Sequence, residues 1–332
     1  MSDIQMSLLN DFQRGFPLTA APFDILSHRL GMGVEEVLET LRRLTRDGVI
    51  SRIGAVFRPN RIGVSTLAAM AVPAARLAEV AQVVNRHPEI NHNYEREHAF
   101  NLWLVATAAN AAHLDRVLHD IEQETGLRIM RLPMVQDYHI DLGFDLRATV
   151  ALADRRSLQG PAAKAGQRLD AEDYALIAAI QDGLPLVARP YAAIGAIAGL
   201  SEAEVLSRLE RLLNQDIIKR FGIVVRHHEL GFRANAMVVW NIPDERVDEL
   251  GRCIGASGLV NLCYQRPRRL PDWPYNLFAM IHGKDRAAVL ERLDLLRDQC
   301  GLMDFQHEVL FSKQRFKQTG AHYIDAPREK AA

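Results

Sequence analysis

The feature that most constrains this chain is that it carries one pattern twice. At a constant offset of 168 residues, Gly15, Pro17, Leu18 and Pro22 match Gly183, Pro185, Leu186 and Pro190. The same offset pairs Glu36, Leu38, Leu41, Arg43 and Leu44 with Glu204, Leu206, Leu209, Arg211 and Leu212. It then pairs Arg52, Gly54, Val56, Arg58 and Gly63 with Arg220, Gly222, Val224, Arg226 and Gly231. Matched glycines and prolines over such a span do not come from average composition, and the period is too long for a solenoid. The chain is a tandem duplication.

Each half opens with three helical patterns, in the first half over Met6 to Arg14, Pro22 to Leu30 and Gly33 to Asp47. The third sets Val34, Val37, Leu38, Leu41 and Leu44 at helical spacing. An extended hairpin is expected next, from Val49 to Phe57, through a turn at Arg58-Pro59-Asn60 to Ile62-Gly63. Three helices and such a β wing make a winged helix-turn-helix. The remainder reads βαββαβ: strand Leu67 to Val72, helix Ala75 to Asn85, hairpin Glu89 to Arg96 and Phe100 to Thr107, helix Ala112 to Thr125, and a last strand within Leu127 to Ile140. The second-half counterparts are Ala236 to Asn241, Glu245 to Gly255, Leu259 to Gln265, Asn276 to His282, Ala287 to Cys300 and Met303 to Phe311. That order predicts a ferredoxin-like sandwich. The fold class is therefore α+β, each half a winged helix-turn-helix followed by a βαββαβ sandwich. The expected boundaries are 1–64 and 65–146 for the first half, a linker at 147–169, 170–232 and 233–320 for the second half, and a mobile tail at 321–332.

The segment from His92 to Trp103 holds the chemistry-bearing residues. On a strand, His92, Tyr94 and Arg96 share one face, which is a poor core face and a plausible floor for an anionic, aromatic ligand. His98 falls at the turn. A diverged copy follows in the second half: Cys263-Tyr264-Gln265-Arg266 resembles Asn93-Tyr94-Glu95-Arg96, and Tyr275-Asn276-Leu277-Phe278 resembles Phe100-Asn101-Leu102-Trp103. Between its parts lies an insert, Pro267 to Pro274, with Arg268, Arg269 and Trp273. Arginine suits such a site because its planar fork binds a carboxylate through two donors and stacks on flat rings.

Composition excludes several classes. A net charge of −1 does not suit a chain built for a polyanion. The three cysteines, Cys253, Cys263 and Cys300, form no Cys-x-x-Cys pair, which argues against a disulfide framework, a zinc ribbon or a cysteine-ligated cluster. With no basic leader and no membrane-length apolar run, the expected compartment is the cytoplasm.

A winged helix followed by this sandwich resembles the Lrp/AsnC family of transcriptional regulators, twice over and across nearly the whole chain. The segments Tyr94-x-Arg96-x-His98-x-x-Asn101-Leu102-Trp103 and Tyr264-x-Arg266-Pro267…Trp273-Pro274-Tyr275-Asn276 are similar to those of a narrower group, the siroheme decarboxylases. These are Lrp-like enzymes of haem d1 biosynthesis and the alternative haem pathway, occurring as paired or fused chains; the tandem halves match the fused type. The resemblance implies a carboxy-lyase that removes two acetate carboxyl groups from siroheme to give didecarboxysiroheme. It implies no cofactor beyond the tetrapyrrole and its iron, and halves that pair as a pseudo-dimer able to assemble further. His98, from the family motif, is the candidate catalytic acid, with Arg96 and Tyr94 beside it. His92 competes for that role, and either histidine could ligate the siroheme iron. The candidate substrate-binding set is Arg266, Tyr264, Arg268, Arg269, Trp273, Tyr275, Asn101 and Trp103, of which Asn101 and Trp103, like Asn276, equally fit fold roles. His227 and His228 on the second wing fit a solvated segment or one reaching a pocket.

Two other readings stay open on the residues alone: a ligand-responsive Lrp-type regulator, and a tetrapyrrole carrier that releases its ligand unchanged. DNA binding is disfavoured. The two recognition helices open with Gly33-Val34-Glu35-Glu36 and Ser201-Glu202-Ala203-Glu204, and these carboxylates suit the helix dipole but repel phosphates.

Overall fold

The computed structural model of the chain describes residues 3–58, 60–140, 169–226 and 234–323. In the first half, α1 (Asp3–Asp11), α2 (Pro22–Leu30) and α3 (Val34–Arg46) precede β1 (Ile50–Phe57), β2 (Val64–Met70), α4 (Leu77–Arg86), β3 (Ile90–Arg96), β4 (Leu102–Ala108), α5 (Ala111–Thr125), β5 (Met130–Pro133) and β6 (Gln136–Ile140). In the second, α6 (Ala171–Ile180), α7 (Pro190–Ala198) and α8 (Glu202–Asn214) precede β7 (Ile218–Val225), β8 (Ala234–Trp240), α9 (Val247–Ala256), β9 (Leu262–Gln265), β10 (Leu277–Gly283), α10 (Arg286–Gln299) and β11 (His307–Gln318).

The repeated prolines and glycines act at helix ends. Pro22 and Pro190 open α2 and α7, where a missing N–H costs nothing. Gly31 and Gly199 close them in the left-handed region, at φ 64° and 73°. The wing differs from expectation. Among the described residues neither half forms its own hairpin; β1 instead pairs antiparallel with β7, Gly54 opposite Gly222. A Cβ at Gly222 would collide with the Phe12 and Gln13 carbonyls, so this crossing requires glycine. The shared ribbon merges both helical units into one core, in which Leu8, Phe12, Phe23 and Leu41 cluster with Leu176, Ile177, Tyr191 and Leu209.

The sandwiches are shared as well. The remaining strands form one nine-stranded sheet in the order β5-β2-β4-β3-β11-β8-β10-β9-β6. The last strand expected in the first half is two strands: β5 stays on β2, and β6 crosses to β9 of the other half. Strand β11 does both jobs unbroken, pairing β8 through His307–Phe311 and β3 through Ser312–Gln318. Alternation then sorts the side chains. Ala68, Met70, Leu102 and Leu104 pack under α4 and α5, and Val238, Trp240, Leu277 and Ala279 under α9 and α10. The opposite faces meet each other through Ala69, Trp103, Leu132, Met237, Val239, Phe278 and Leu310. The result is four layers, helix, sheet, sheet, helix.

Two further expectations are corrected. Cys253 at the end of α9 and Cys300 after α10 are joined by a disulfide, a pairing across 47 residues that no local spacing reveals. The tail does not leave the body at residue 321: Tyr323 is buried, its ring 5.8 Å from Phe57. The expected linker, save Leu169, the tail beyond Tyr323, and His227 and His228 lie outside the described residues.

The crossed strand β6 depends on close approach. Tyr138 lies flat on α9, where a Cβ on Gly251 would fall inside its ring, and its hydroxyl donates to Asp248 at 2.5 Å. Gly251→Ala is therefore expected to cost about 1–3 kcal/mol through overpacking. It should lower Tm in a thermal melt, whereas the equally helical but exposed Ala287→Gly should cost only about 1 kcal/mol.

Candidate functional site

Strand β3 sorts its residues as the alternation predicts. Asn93 opposes Leu104 and points outward, where its amide reaches Asn85 and the Ala81 carbonyl. His92 and Tyr94 oppose Val105 and Trp103 and face inward between the sheets. Arg96 follows on the same face and is buried. Its Nη1 donates to the Leu310 carbonyl at 3.0 Å, with Asn235 Oδ1 at 3.5 Å, and its guanidinium lies 5.8 Å from the Tyr94 ring. The second half repeats this: Arg266 donates to the Leu132 carbonyl at 2.5 Å and lies 5.2 Å from the Tyr264 ring. Each arginine thus bonds a strand of the other half. Burial lowers both guanidinium pKa values to about 10, which leaves them cationic at neutral pH.

Around Tyr94 the sandwich meets the helical unit. Burial raises the Tyr94 hydroxyl above its ordinary range, opposed by Arg96, Arg315 and Arg226. His92 stacks on Tyr94 at 6.2 Å, and its Nδ1 contacts Asn91 Oδ1 at 2.7 Å. Burial, reinforced by Arg52, lowers its pKa to about 4. From the facing half comes His282 on β10, hydrogen-bonded to Asn261 at 2.8 Å and lowered to about 4 by burial, then by Arg96 and Arg292. Arg52, Arg226, Arg315 and His282 were missed by sequence reasoning. The first two were visible as repeated residues, but nothing local said that their charges act on His92 and Tyr94.

His98 lies beyond Arg96 with a different set of contacts. Its Nδ1 accepts the Phe100 N–H at 2.9 Å, which fixes the proton on Nε2 in the neutral ring. The ring stacks on Phe100 at 6.0 Å and meets Trp273 edge-on at 5.3 Å. Burial lowers its pKa, and Glu308 opposes that shift. The contacts of His92 and His98 do not overlap, so one face holds two histidines in two settings.

Several candidate binding residues, and Asn276 beside them, have contacts that serve the fold, the role that Asn101, Trp103 and Asn276 fitted equally. Asn101 clamps both backbone groups of Val72 at 2.9 Å, and Asn276 clamps Ile242 in the same way at 2.9 Å. Trp103 is buried, its indole donating to the Phe100 carbonyl at 2.7 Å. Arg268 staples the insert to Asn241, Ile242 and Asp244, and Arg269 bonds the Arg131 carbonyl. Trp273, fully buried, plugs the inter-sheet core against Trp103, Phe278 and Tyr275, whose hydroxyl reaches Glu308 at 3.4 Å. The insert is a plug whose packing no strand period announces. Tyr264 and Arg266 do face the inter-sheet space, at the second position.

Fold and site together define a fused pair of AsnC-type ligand-binding sandwiches, each preceded by a helix-turn-helix. The model of the AsnC-like ligand binding domain matches residues 61–139 and 229–317, and that of the siroheme decarboxylase NirDL-like HTH domain matches residues 5–50 and 173–219. The chain is 43% identical over 324 residues to the siroheme decarboxylase NirDL subunit of Paracoccus denitrificans, covering 97% of each. The separate-chain siroheme decarboxylase NirD subunit of Pseudomonas aeruginosa is 50% identical over 149 residues, 45% of this chain and 99% of that one. A crystal structure of the siroheme decarboxylase NirDL in complex with an iron-uroporphyrin III analogue superposes with a TM-score of 0.67 at 27% identity, covering 97% of this chain and 93% of that one. The chain belongs to the siroheme decarboxylase NirDL family.

The two inward histidines set an acid limit on stability. His92 and His282 stay neutral in the fold down to about pH 4, whereas the unfolded chain protonates them below about pH 6.5. Their contribution is full above about pH 6.5 and is lost as pH falls towards 4, by about 1–3 kcal/mol each. Melts of His282→Asn should lose less Tm than wild type between about pH 7 and 5; equal losses would refute the shift.

Proposed function

We propose that the chain is a siroheme decarboxylase, a carboxy-lyase converting two acetate side chains of siroheme to methyl groups, and that the face of β3 is its reaction site. The observation that supports this is Tyr94 with the Arg96 guanidinium 5.8 Å from its ring, Arg315 opposite it on β11 and the charge of Arg226 acting on its hydroxyl, in a chain so similar to the NirDL subunits. A flat polycarboxylate needs fixed cations and an aromatic floor, and this face offers both.

Decarboxylation breaks the bond between the acetate methylene and its carboxylate. Carbon dioxide leaves, the electron pair stays on the methylene and spreads into the tetrapyrrole, and a proton then completes the methyl group. The arginines hold the carboxylates that are retained. The aromatic setting of His98, walled by Phe100 and Trp273, suits the carboxylate that is lost, because a weakly solvated carboxylate departs more readily than one held by an arginine. His98 Nε2 delivers the proton, and His92 is the candidate iron ligand, its neutral ring suiting a metal. We take the tetrapyrrole as its own electron sink, and the cytoplasm as the compartment.

DNA lies outside this function. In α3, Glu35 and Glu39 hold Arg42 and Arg46 at 2.8 and 2.9 Å, and around α8 Asp170, Glu172 and Asp173 hold Arg208. These arginines are neutralised before a phosphate arrives.

Anaerobic incubation with siroheme should give a product lighter by two carbon dioxide units in mass spectrometry of the extracted tetrapyrrole. Recovery of bound but intact siroheme would leave a carrier. His98→Ala should lower kcat by roughly 100-fold or more with binding changed only a few-fold. Because burial depresses the His98 pKa, its acid form is gained as pH falls, so kcat should rise from about pH 8 towards 6 in wild type and be flat in the variant. An unchanged kcat in His98→Ala would remove it from the reaction.

A further inference from the structure

The two halves place the same backbone around Tyr94 and Tyr264 but give it opposite charge. Strand β11 passes Tyr94 with Gln314 opposite Glu95 and Arg315 opposite Tyr94; strand β6 passes Tyr264 with Gln136 opposite Gln265 and Asp137 opposite Tyr264. Register shifts follow both pairs at the same place. Arg315 and Asp137 are therefore equivalent positions carrying opposite charge.

A second pair of equivalent positions differs in the same sense. Arg58 and Arg226 are repeat partners, their N–H groups donating to the repeat-related carbonyls of Ile217 and Val49 at 2.9 and 2.8 Å. Arg226 then places Nη1 on the Gly48 carbonyl, at 3.3 Å. Arg58 meets a carboxylate there, because the residue equivalent to Gly48 is Asp216: Nε lies 2.6 Å from Asp216 Oδ2, and Nη1 lies 2.9 Å from Asp137 Oδ2. Asp216 keeps φ at 56°, in the left-handed region that Gly48 occupies at 77°. An aspartate held where the other half uses glycine has a cost in backbone strain that the ion pair offsets.

We propose that only the Tyr94 site accepts a polyanionic tetrapyrrole, and that the Tyr264 site is a structural copy closed by the Arg58–Asp137–Asp216 ion triad. One carboxylate sits where the first site has a cation, a second removes the wing arginine, and both repel an anionic ligand. This rests on the proposed function and goes beyond it by assigning one binding site per chain and the residues that decide which.

Absorbance titration of the full chain with an iron uroporphyrin measures the stoichiometry. The expected result is one equivalent per chain. Arg315→Asp, which copies the second site's charge into the first, should weaken binding roughly tenfold or more. Asp137→Asn should keep one equivalent with affinity within about twofold, with Tm recorded to show that both variants fold. Two equivalents bound by wild type, or a folded Asp137→Asn that no longer binds while Arg315→Asp still does, would overturn the inference and leave the proposed function intact. Absence of any binding by wild type would instead overturn the proposed function.

Discussion

Strand β11 is the constraint on which the rest depends. Its first five residues complete the second sandwich on β8, and the following residues complete the first on β3. Strand β6 returns the exchange on β9. Neither sandwich has its full set of backbone hydrogen bonds without the other, and an unpaired buried edge costs too much to persist. The inner faces can then lie close enough for Trp103, Trp273 and Phe278 to share one core, each side chain adding about 2–3 kcal/mol on burial. Arg96 and Arg266 are held by the same exchange, since their carbonyl acceptors, Leu310 and Leu132, lie on strands facing the opposite half.

How much of this was legible in the sequence follows from the range of the interactions. The repeat gave both helical units, because Pro22, Gly31 and their counterparts act on their own helices. The alternation of His92, Tyr94 and Arg96 was equally local. Partners of strands were not: a period of two residues says which face is buried, never which strand lies alongside. The wing was therefore read as a hairpin although β1 pairs with β7. For the same reason the cations of the site were only half seen, because Arg52 on β1, Arg226 just after β7 and Arg315 on β11 act on His92 and Tyr94 from three separate segments. Asn101 fitted either a ligand contact or the fold. A polar residue at a repeated position beside a charged motif leaves both open, and what repeats there, at Asn101 and Asn276, is a backbone clamp.

Duplication also explains how one scaffold can carry unequal sites. A symmetric pair of separate identical chains must give both pockets the same side chains, so every charge is present twice. Once the halves are fused, each position changes alone. The backbone registers at Tyr94 and Tyr264 are still superimposable, while Arg315 and Asp137, or Gly48 and Asp216, have parted. The packing residues have not parted in this way: the Val72 and Ile242 clamps, the two buried arginines and their carbonyls are kept in kind. At these two pairs of positions the divergence is one of charge, where the effect on an anionic ligand is large.

The arrangement of charge also bears on the chemistry. A site filled with arginines would bind a polycarboxylate well and decarboxylate it poorly, because a cation stabilises the carboxylate in the ground state more than the neutral product that leaves. Catalysis needs cations on the groups that stay and their absence from the group that goes. The face of β3 is graded in this way. Arg52, Arg226 and Arg315 act on the His92 and Tyr94 end, and Arg96 stands in the middle. Beyond it, His98 lies against Phe100 and Trp273, and the charge of Glu308 opposes the effect of burial on it. The insert matters here through its buried tryptophan: with Arg268 stapled to the segment after β8 and Trp273 lodged beside His98, it keeps this end of the face apolar.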